Sequence, residues 1–324
     1  MAATLSVGVV IPTHNRKVLL KQTLESLVGQ SLLPDRIVVV ADGCTDGTEE
    51  ELGTSDAIIV ESTPGVGAGG ARNVGWRLLD TDLVAFIDDD CEAEPQWLAR
   101  LAQAFQRTDV GLVQGKTVPA GDVGPYDRTL RILRETGLYE SCNIAYRRTA
   151  LEQAGGMNPG FGRTFGRRGG DPSSGGGSGF GEDTDLAWRV LRAGWRSEFA
   201  DDAVVRHAVF PGTPASMLVE AWRNRLFPFL LREIPELRDC LPGGRWQFRS
   251  QSVRAQLALF GVGGGLLACA RGRRPNAVAL AVPYLTWLAR QTRDPRAAAR
   301  LAARDAVTSA ALLVGSIRHR NLVL

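Results

Sequence analysis

The stretch that most constrains this chain runs from Thr81 to Glu92, where a five-residue apolar run, Leu83 to Ile87, stops at three consecutive aspartates, Asp88, Asp89 and Asp90. An unbroken run of that length suits a parallel strand covered on both faces, and such sheets hold ligands outside the carboxyl ends of their strands. The acids therefore stand where a ligand would. Strand alternation directs Asp88 and Asp90 to one side and Asp89 to the other, so two carboxylates converge and repel unless a cation or a raised pKa relieves them. Oxygen-only ligands select a hard ion, Mg2+ or Mn2+. The same acids also suit an Asp-rich turn leading into a helix opened by Glu94-Pro95.

The chain before this stretch alternates short apolar runs with helical patterns. Val7 to Ile11 is strand-sized, Pro12 to Arg16 is a loop, and Leu19, Leu20, Leu24 and Leu27 share one face of a predicted helix from Val18 to Gly29. Ile37 to Val40 predicts a second strand that runs into the turn-rich loop Ala41 to Thr48. Glu49 to Leu52 starts a short helix, and Ile58 to Glu61 predicts a third strand. Strand, helix, strand is the pattern of a parallel α/β sheet. The glycine-rich segment Pro64 to Ala71 then leads to a helix expected to open at Arg72. Glycines let backbone approach a phosphate, and a helix N-terminus favours the anion. The segment fits neither G-x-G-x-x-G nor the G-K-[ST] of a P-loop. Arg72 suits a diphosphate partner or a solvated helix surface.

Five segments occur in order along the chain: Val9 to Arg16 (VVIPTHNR), Val38 to Thr48 (VVVADGCTDGT), Gly69 to Trp76 (GGARNVGW), Phe86 to Asp90 (FIDDD) and Gly181 to Arg189 (GEDTDLAWR). Together they resemble the family 2 glycosyltransferases, and Ala203 to His207 resembles that family's distal histidine segment. The resemblance covers about the first two thirds of the chain. It implies an α/β fold of GT-A type, a Rossmann-like, mostly parallel sheet flanked by helices, over residues 1–210. It further implies that Thr13 and Asp42 contact the nucleotide base and Arg72 the diphosphate. Pro12, Asn15, Arg16, Gly43, Ala71, Asn73 and Asp89 belong to the same nucleotide-sugar pocket on this resemblance. Asp88 and Asp90 match the D-x-D acids that hold ribose and a divalent metal, Mn2+ or Mg2+. His207 either completes that metal shell or is structural. Asp183, with Glu182 beside it, matches the general base of an inverting transfer to a hydroxyl acceptor. The acids at 182–185 equally suit a helix N-terminus complementing its dipole.

Departures from the family pattern bear on specificity. Ala41 stands where an acid is common, Cys44 where a serine is, and Arg245-Trp246 lacks the glutamine of the Q-x-x-R-W found in processive synthases, so transfer of a single sugar is expected. Arg163 to Gly181 is a long glycine-rich segment that suits a mobile lid, with Arg163, Arg167 and Arg168 meeting phosphate, or a tolerated insertion. A phosphotransferase or nucleotidyltransferase using the aspartates directly would need motifs that are missing here. A noncatalytic sugar-nucleotide-binding scaffold would not need Asp183.

Charge divides the chain. Up to Phe210 there are 21 Lys+Arg against 29 Asp+Glu; from Pro211 onward there are 17 Arg against 6 acids. Residues 211–324 predict helices, with apolar segments at Ala255 to Ala270, Ala277 to Ala289 and Val307 to Ile317 flanked by arginines. Each falls short of a spanning length, so the region is expected to lie on an anionic membrane surface, or else to pack as a helical subdomain. Nucleic acid is not the expected partner. Expected partners are a UDP-, GDP- or dTDP-sugar and a glycan or lipid-linked acceptor. Five cysteines without a C-x-x-C pair, and no basic, apolar leader, point to the cytoplasm, peripheral on the membrane face.

Overall fold

The computed structural model describes residues 5–52, 58–161, 180–240, 248 and 252–323. Arg163, Arg167 and Arg168 of the expected lid, and Arg245-Trp246, lie outside the described residues. The chain forms two compact units, Met1–Val123 with Arg128–Phe210, and Gly124–Asp127 with Pro211–Leu324.

The first unit is built on one sheet of eight strands among the described residues: β1 (Val7–Thr13), β2 (Arg36–Asp42), β3 (Ile58–Thr63), β4 (Leu83–Ile87), β5 (Cys91–Ala93), β6 (Val110–Pro119), β7 (Asn143–Arg147) and β8 (Arg196–His207). Their order is β3-β2-β1-β4-β7-β6-β8-β5. The block β3-β2-β1-β4 is parallel throughout, with Val9 opposite Ile37 and Ala85. β6 and β8 are also parallel, whereas β7 runs antiparallel to β4 and β6, and β5 antiparallel to β8. The strand order changes direction between β1 and β4, which opens a crevice at their carboxyl ends.

Both faces of the central strands are covered, as their continuous apolar runs require. Val9, Ile11, Val39, Ala85 and Ile87 face one core with Leu20, Leu24 and Leu27 of α1 (Lys17–Val28) and Trp97, Leu98 and Leu101 of α4 (Trp97–Ala104). Val10, Val38, Val40, Val84 and Phe86 face the other core, closed by α3 (Ala68–Arg77), α5 (Arg148–Ala154) and α6 (Glu182–Arg192). A short α2 (Thr48–Leu52) follows β2. Gly75 is what lets α3 lie against β1, because a Cβ there would sit 2.4 Å from Val10 Cγ1.

Three local expectations change. The helix expected to open at Arg72 begins at Ala68, so Gly69 and Gly70 lie inside it and Arg72 sits in its second turn. A strand the sequence does not announce, β5, follows the aspartates and pairs Cys91 with His207. Strand β4 ends at Ile87, so alternation no longer governs the three aspartates beyond it.

The second unit is helical: α7 (Pro214–Arg223), a 3₁₀ turn at Asn224–Leu226, α8 (Phe227–Glu233), α9 (Leu237–Cys240), α10 (Ser252–Ala270), a 3₁₀ turn at Asn276–Ala281, α11 (Val282–Gln291) and α12 (Pro295–His319). Thr213 starts α7 with a capping box to Ser216, followed by Pro214 in the first turn. Asp294 caps α12 by accepting from the Arg296 and Ala297 N–H groups. α12 packs on α7, α8, α10 and α11. Its Asp305 accepts a hydrogen bond from Tyr284 of α11 at 3.1 Å. At 19 residues, α10 exceeds the expected Ala255 to Ala270 and is long and apolar enough by length and composition to cross a membrane.

Candidate active site

Pro12, Thr13, His14, Arg16, Asp42, Ala68, Arg72, Asp88 and Asp89 line an open cleft of about 190 Å³ at the carboxyl ends of β1, β2 and β4. The loops that leave these strands are shaped by side chains reporting to backbone. Asp42, at the end of β2, accepts from Thr63 Oγ1 and Val66 N–H at 2.6 Å each and from Gly67 N–H at 2.7 Å. It thereby fixes the entry to α3, where Gly67 takes a φ of +83° that only glycine adopts freely. His14 donates Nδ1–H to the Asp42 carbonyl at 2.6 Å, which ties the β1 loop to the β2 loop. Asn15 accepts from the Thr45 N–H at 2.7 Å.

The three aspartates go to different partners. Asp88 pairs with Arg72, whose side chain is only 6% exposed. Asp89 accepts from Thr13 Oγ1 at 2.7 Å, and Arg16 bridges Asp89 and Asp90 at 3.1 and 2.9 Å. Asp89 and Asp90 thus share Arg16, while Asp88 remains close enough to Asp90 for the expected repulsion between them to act. The Arg16 guanidinium also stacks 5.4 Å from the Phe210 ring, a contact with no sequence signal.

Burial drives the electrostatics of this corner. It pushes the Asp89 carboxyl up to about 7 from an ordinary 3.8; Arg16 opposes the shift and Asp90 adds to it. Asp90 is raised in the same way, by burial first and then by the charge of Asp88, against the pull of His207 and Arg16.

The residues behind Asp90 suit a cation. His207 lies 3.4 Å from Asp90 Oδ1 through Nε2. Its Nδ1 is 2.8 Å from the Ala208 carbonyl, which can only accept, so Nδ1 carries a proton, and Thr129 Oγ1 lies 3.3 Å from the same nitrogen. Cys91 Sγ, 3.8 Å from Asp90 Oδ1, is the third ligand-type atom of this cluster, and all three lie within 4.8 Å of one another. Asp88, the other expected metal ligand, is held toward Arg72.

On the far side of Arg72 stands the start of α6. Asp183 accepts from its neighbour's Thr184 N–H at 2.8 Å and from the Ser141 N–H at 3.3 Å. Burial raises its pKa, against the Thr184 N–H and the Arg72 charge. Glu182 packs over Gly69 at the beginning of α3. Arg72 feels Asp88, Asp183 and Glu182 together, and its own Nε–H has no partner among the described residues. Glu140, held at 3.2 Å by Gln114, adds a further carboxyl raised by burial and by the charge of Asp183.

Of the expected nucleotide-sugar residues, Pro12, Thr13, Arg16, Asp42, Arg72, Asp88 and Asp89 line the cleft. Asn15 and Gly43 shape its loops. Ala71 is wholly buried in the core, and Asn73 is occupied with Met157 backbone and the Trp76 indole. His14 and Ala68 line the cleft without having been expected there.

Residues 8–168 match the family profile Glycosyl transferase family 2. A pre-mycofactocin glycosyltransferase of Mycobacterium tuberculosis is 29% identical over 220 residues, which is 62% of this chain and 42% of that relative. The chain thus spans less than half the length of that relative. A mannosyltransferase from Pyrobaculum calidifontis in complex with GDP-Man and Mn2+ superposes with a TM-score of 0.55 at 19% identity, covering 98% of this chain and 88% of that one. S. aureus TarS 1-349 in complex with UDP superposes at 0.51 with 17% identity, covering 98% and 92%. At such identities the two structures establish a shared fold. With that fold, the ordered sequence segments and the matched profile together, the chain belongs to glycosyl transferase family 2.

Proposed function

We propose that this chain is a divalent-metal-dependent, inverting glycosyltransferase that moves one sugar from a UDP-, GDP- or dTDP-type donor to a hydroxyl of a glycan or lipid-linked acceptor at the cytoplasmic face of a membrane. The observation that carries this reading is the run of charge along the crevice, from Asp88 through Arg72 to Asp183 and Glu182. A donor diphosphate and an acceptor hydroxyl need such an order, with a cation between a carboxylate for the nucleotide side and a carboxylate for the proton.

Each residue then has a separate task. Thr13, His14 and Asp42 shape the base end of the cleft. Arg72 offers its free Nε–H and its charge to the diphosphate. Asp90 and His207, with Asp88 beside them, would hold the cation. Bound there, a divalent ion neutralises the charge that develops on the leaving diphosphate. Asp183 takes the acceptor hydroxyl proton as the oxygen bonds to the anomeric carbon and the carbon–oxygen bond to the diphosphate breaks. Its burial-raised pKa makes it a stronger base than an exposed carboxylate. The GDP-Man and Mn2+ of the Pyrobaculum enzyme and the UDP of the S. aureus protein support the donor class and the metal.

Thermal stability against UDP-, GDP-, dTDP- and CDP-sugars, with Mn2+, Mg2+ or EDTA, tests this. A ligand at about a hundred times its dissociation constant adds roughly 2.7 kcal/mol. A metal-dependent shift with one nucleotide and release of its diphosphate on adding acceptor is expected. Stability unmoved by every donor in either metal, with no diphosphate released, overturns it.

A further inference from the structure

Between Asp239 and Asp294 the chain has no acidic residue and eight arginines. Within that span α10 carries no charge from Ala255 to Ala270. Its inward face, Ala255, Ala258, Gly261 and Gly265, packs on the limb that follows the turn. A Cβ at Gly261 would sit 2.6 Å from the Ala277 carbonyl, and one at Gly265 2.4 Å from Val278 Cγ2, so the two limbs touch closely and form a thin slab. The outward face is as apolar as the inward one: Phe260 is 60% exposed, Leu266 68% and Leu267 52%. The return limb adds exposed Leu280, Val282 and Leu285. Scattered exposed apolar residues are ordinary; a contiguous face of them marks an interaction site.

We propose that the hairpin of α10 and α11 lies in the plane of an anionic lipid leaflet, its Phe260–Leu267 face among the acyl chains and Arg254, Arg271, Arg273, Arg274 and Arg290 at headgroup depth. This specifies the membrane partner of the function proposed above. Three features select this occupant and this orientation. The acid-free arginine rim complements anionic headgroups. A second copy of the chain docked by a two-fold axis would set that rim against itself. α12 packs along both limbs and brings Arg304 and Asp305 to them, so only one side of the slab is free of charge. A spanning hairpin would carry those groups into hydrocarbon, whereas an in-plane one leaves them on the water side.

The test is flotation of the full chain with phosphatidylcholine vesicles and with vesicles containing 30% phosphatidylglycerol. Binding to the anionic vesicles is expected, roughly tenfold or more above the zwitterionic ones and weakened by salt. Phe260→Glu and Leu266→Glu should each lower it roughly tenfold, while the paired change Arg273→Gln and Arg274→Gln removes the preference for anionic lipid. Donor-induced thermal stabilisation should persist in Phe260→Glu, which separates a failed membrane reading from a failed transferase reading. Depth quenching of probes at Leu257→Cys and Leu267→Cys, in a Cys240→Ser, Cys269→Ser background, reports orientation. These positions lie about 15 Å apart along the helix. Equal depth is expected, and a graded depth shows spanning instead. Absence of flotation overturns the proposal. A dimer that Phe260→Glu splits, and that ignores vesicles, assigns the face to a second copy.

Discussion

Asp183→Asn tests the proposed base, since it removes the proposed proton acceptor while keeping size and one hydrogen bond. In the folded chain Asp183 accepts from Thr184 N–H at 2.8 Å and from Ser141 N–H at 3.3 Å, and its burial disfavours the charge. Asparagine keeps the shorter bond through its carbonyl and loses the longer one, at about 0.5–1.5 kcal/mol. Relief of a buried charge acts in the opposite direction, so stability should change by no more than about 1 kcal/mol. Loss of a general base, by contrast, removes about a hundredfold to ten-thousandfold in rate, or roughly 3–5 kcal/mol of barrier. The assay is diphosphate release at saturating donor, with donor affinity measured by calorimetry and stability by urea unfolding. The expected outcome is turnover lower by at least about a hundredfold, with donor affinity and unfolding midpoint close to those of the parent. The parent should also lose rate as pH falls through the raised pKa of Asp183, because only the deprotonated carboxylate accepts a proton. That limb should vanish from the residual rate of the variant. Turnover within tenfold of the parent, or a donor affinity that falls in step with the rate, would refute the assignment.

Three further changes probe the rest of the site and its support. Asp89, pushed up to about 7 from 3.8, binds its proton in the folded state across a range where the unfolded chain has released it. Stability from this group is therefore lost as pH rises from about 4 to 7, by up to about 4 kcal/mol. Asp89→Asn should flatten that slope in urea titrations at pH 5 and pH 8 in EDTA; an unchanged slope sinks the assignment. Asp90→Ala should weaken Mn2+ binding by at least about tenfold, read by calorimetry or by the free-ion resonance signal, and equal affinity would remove Asp90 from the metal. Gly75→Ala would press a Cβ to 2.4 Å from Val10 Cγ1 in the core. About 1–3 kcal/mol and several degrees of melting temperature should be lost, and an unmoved midpoint would show that α3 can shift.

What could be read from the residues follows from how local each cause is. The strands β1, β2 and β4 are legible because burial on both faces demands unbroken apolar runs, and the ligand end follows from where those runs stop. β5 is not legible, since three residues carry no measurable period and its partner is more than a hundred positions away in β8. The start of α3 is illegible for a different reason: glycine weakens a helix on its own, yet Gly69 and Gly70 lie in one whose entry the Asp42 carboxylate fixes by binding the Val66 and Gly67 N–H groups. In the tail, Arg254 broke the apolar run and hid the first turn of α10. His14 carries no sequence signal because its use, a bond to the Asp42 carbonyl, belongs to backbone rather than to any residue-type pattern.

The aspartate corner shows why the site stands out physically, whatever its relatives do. Asp88, Asp89 and Asp90 meet two arginines, Arg16 and Arg72, and Arg72 is shared with Asp183 and Glu182 beyond it. Acids outnumber cations at every point along this crevice. Burial accordingly pushes Asp89, Asp90 and Asp183 upward together. A core optimised for stability alone would replace such carboxylates with amides or apolar groups. Burial thus favours the protonated forms, and a divalent cation beside these carboxylates would act in the opposite direction, favouring their charge. On that physical ground Mn2+ affinity should rise with pH, because Asp90, if it is a ligand, must first release the proton that burial favours, and an affinity flat with pH would refute this.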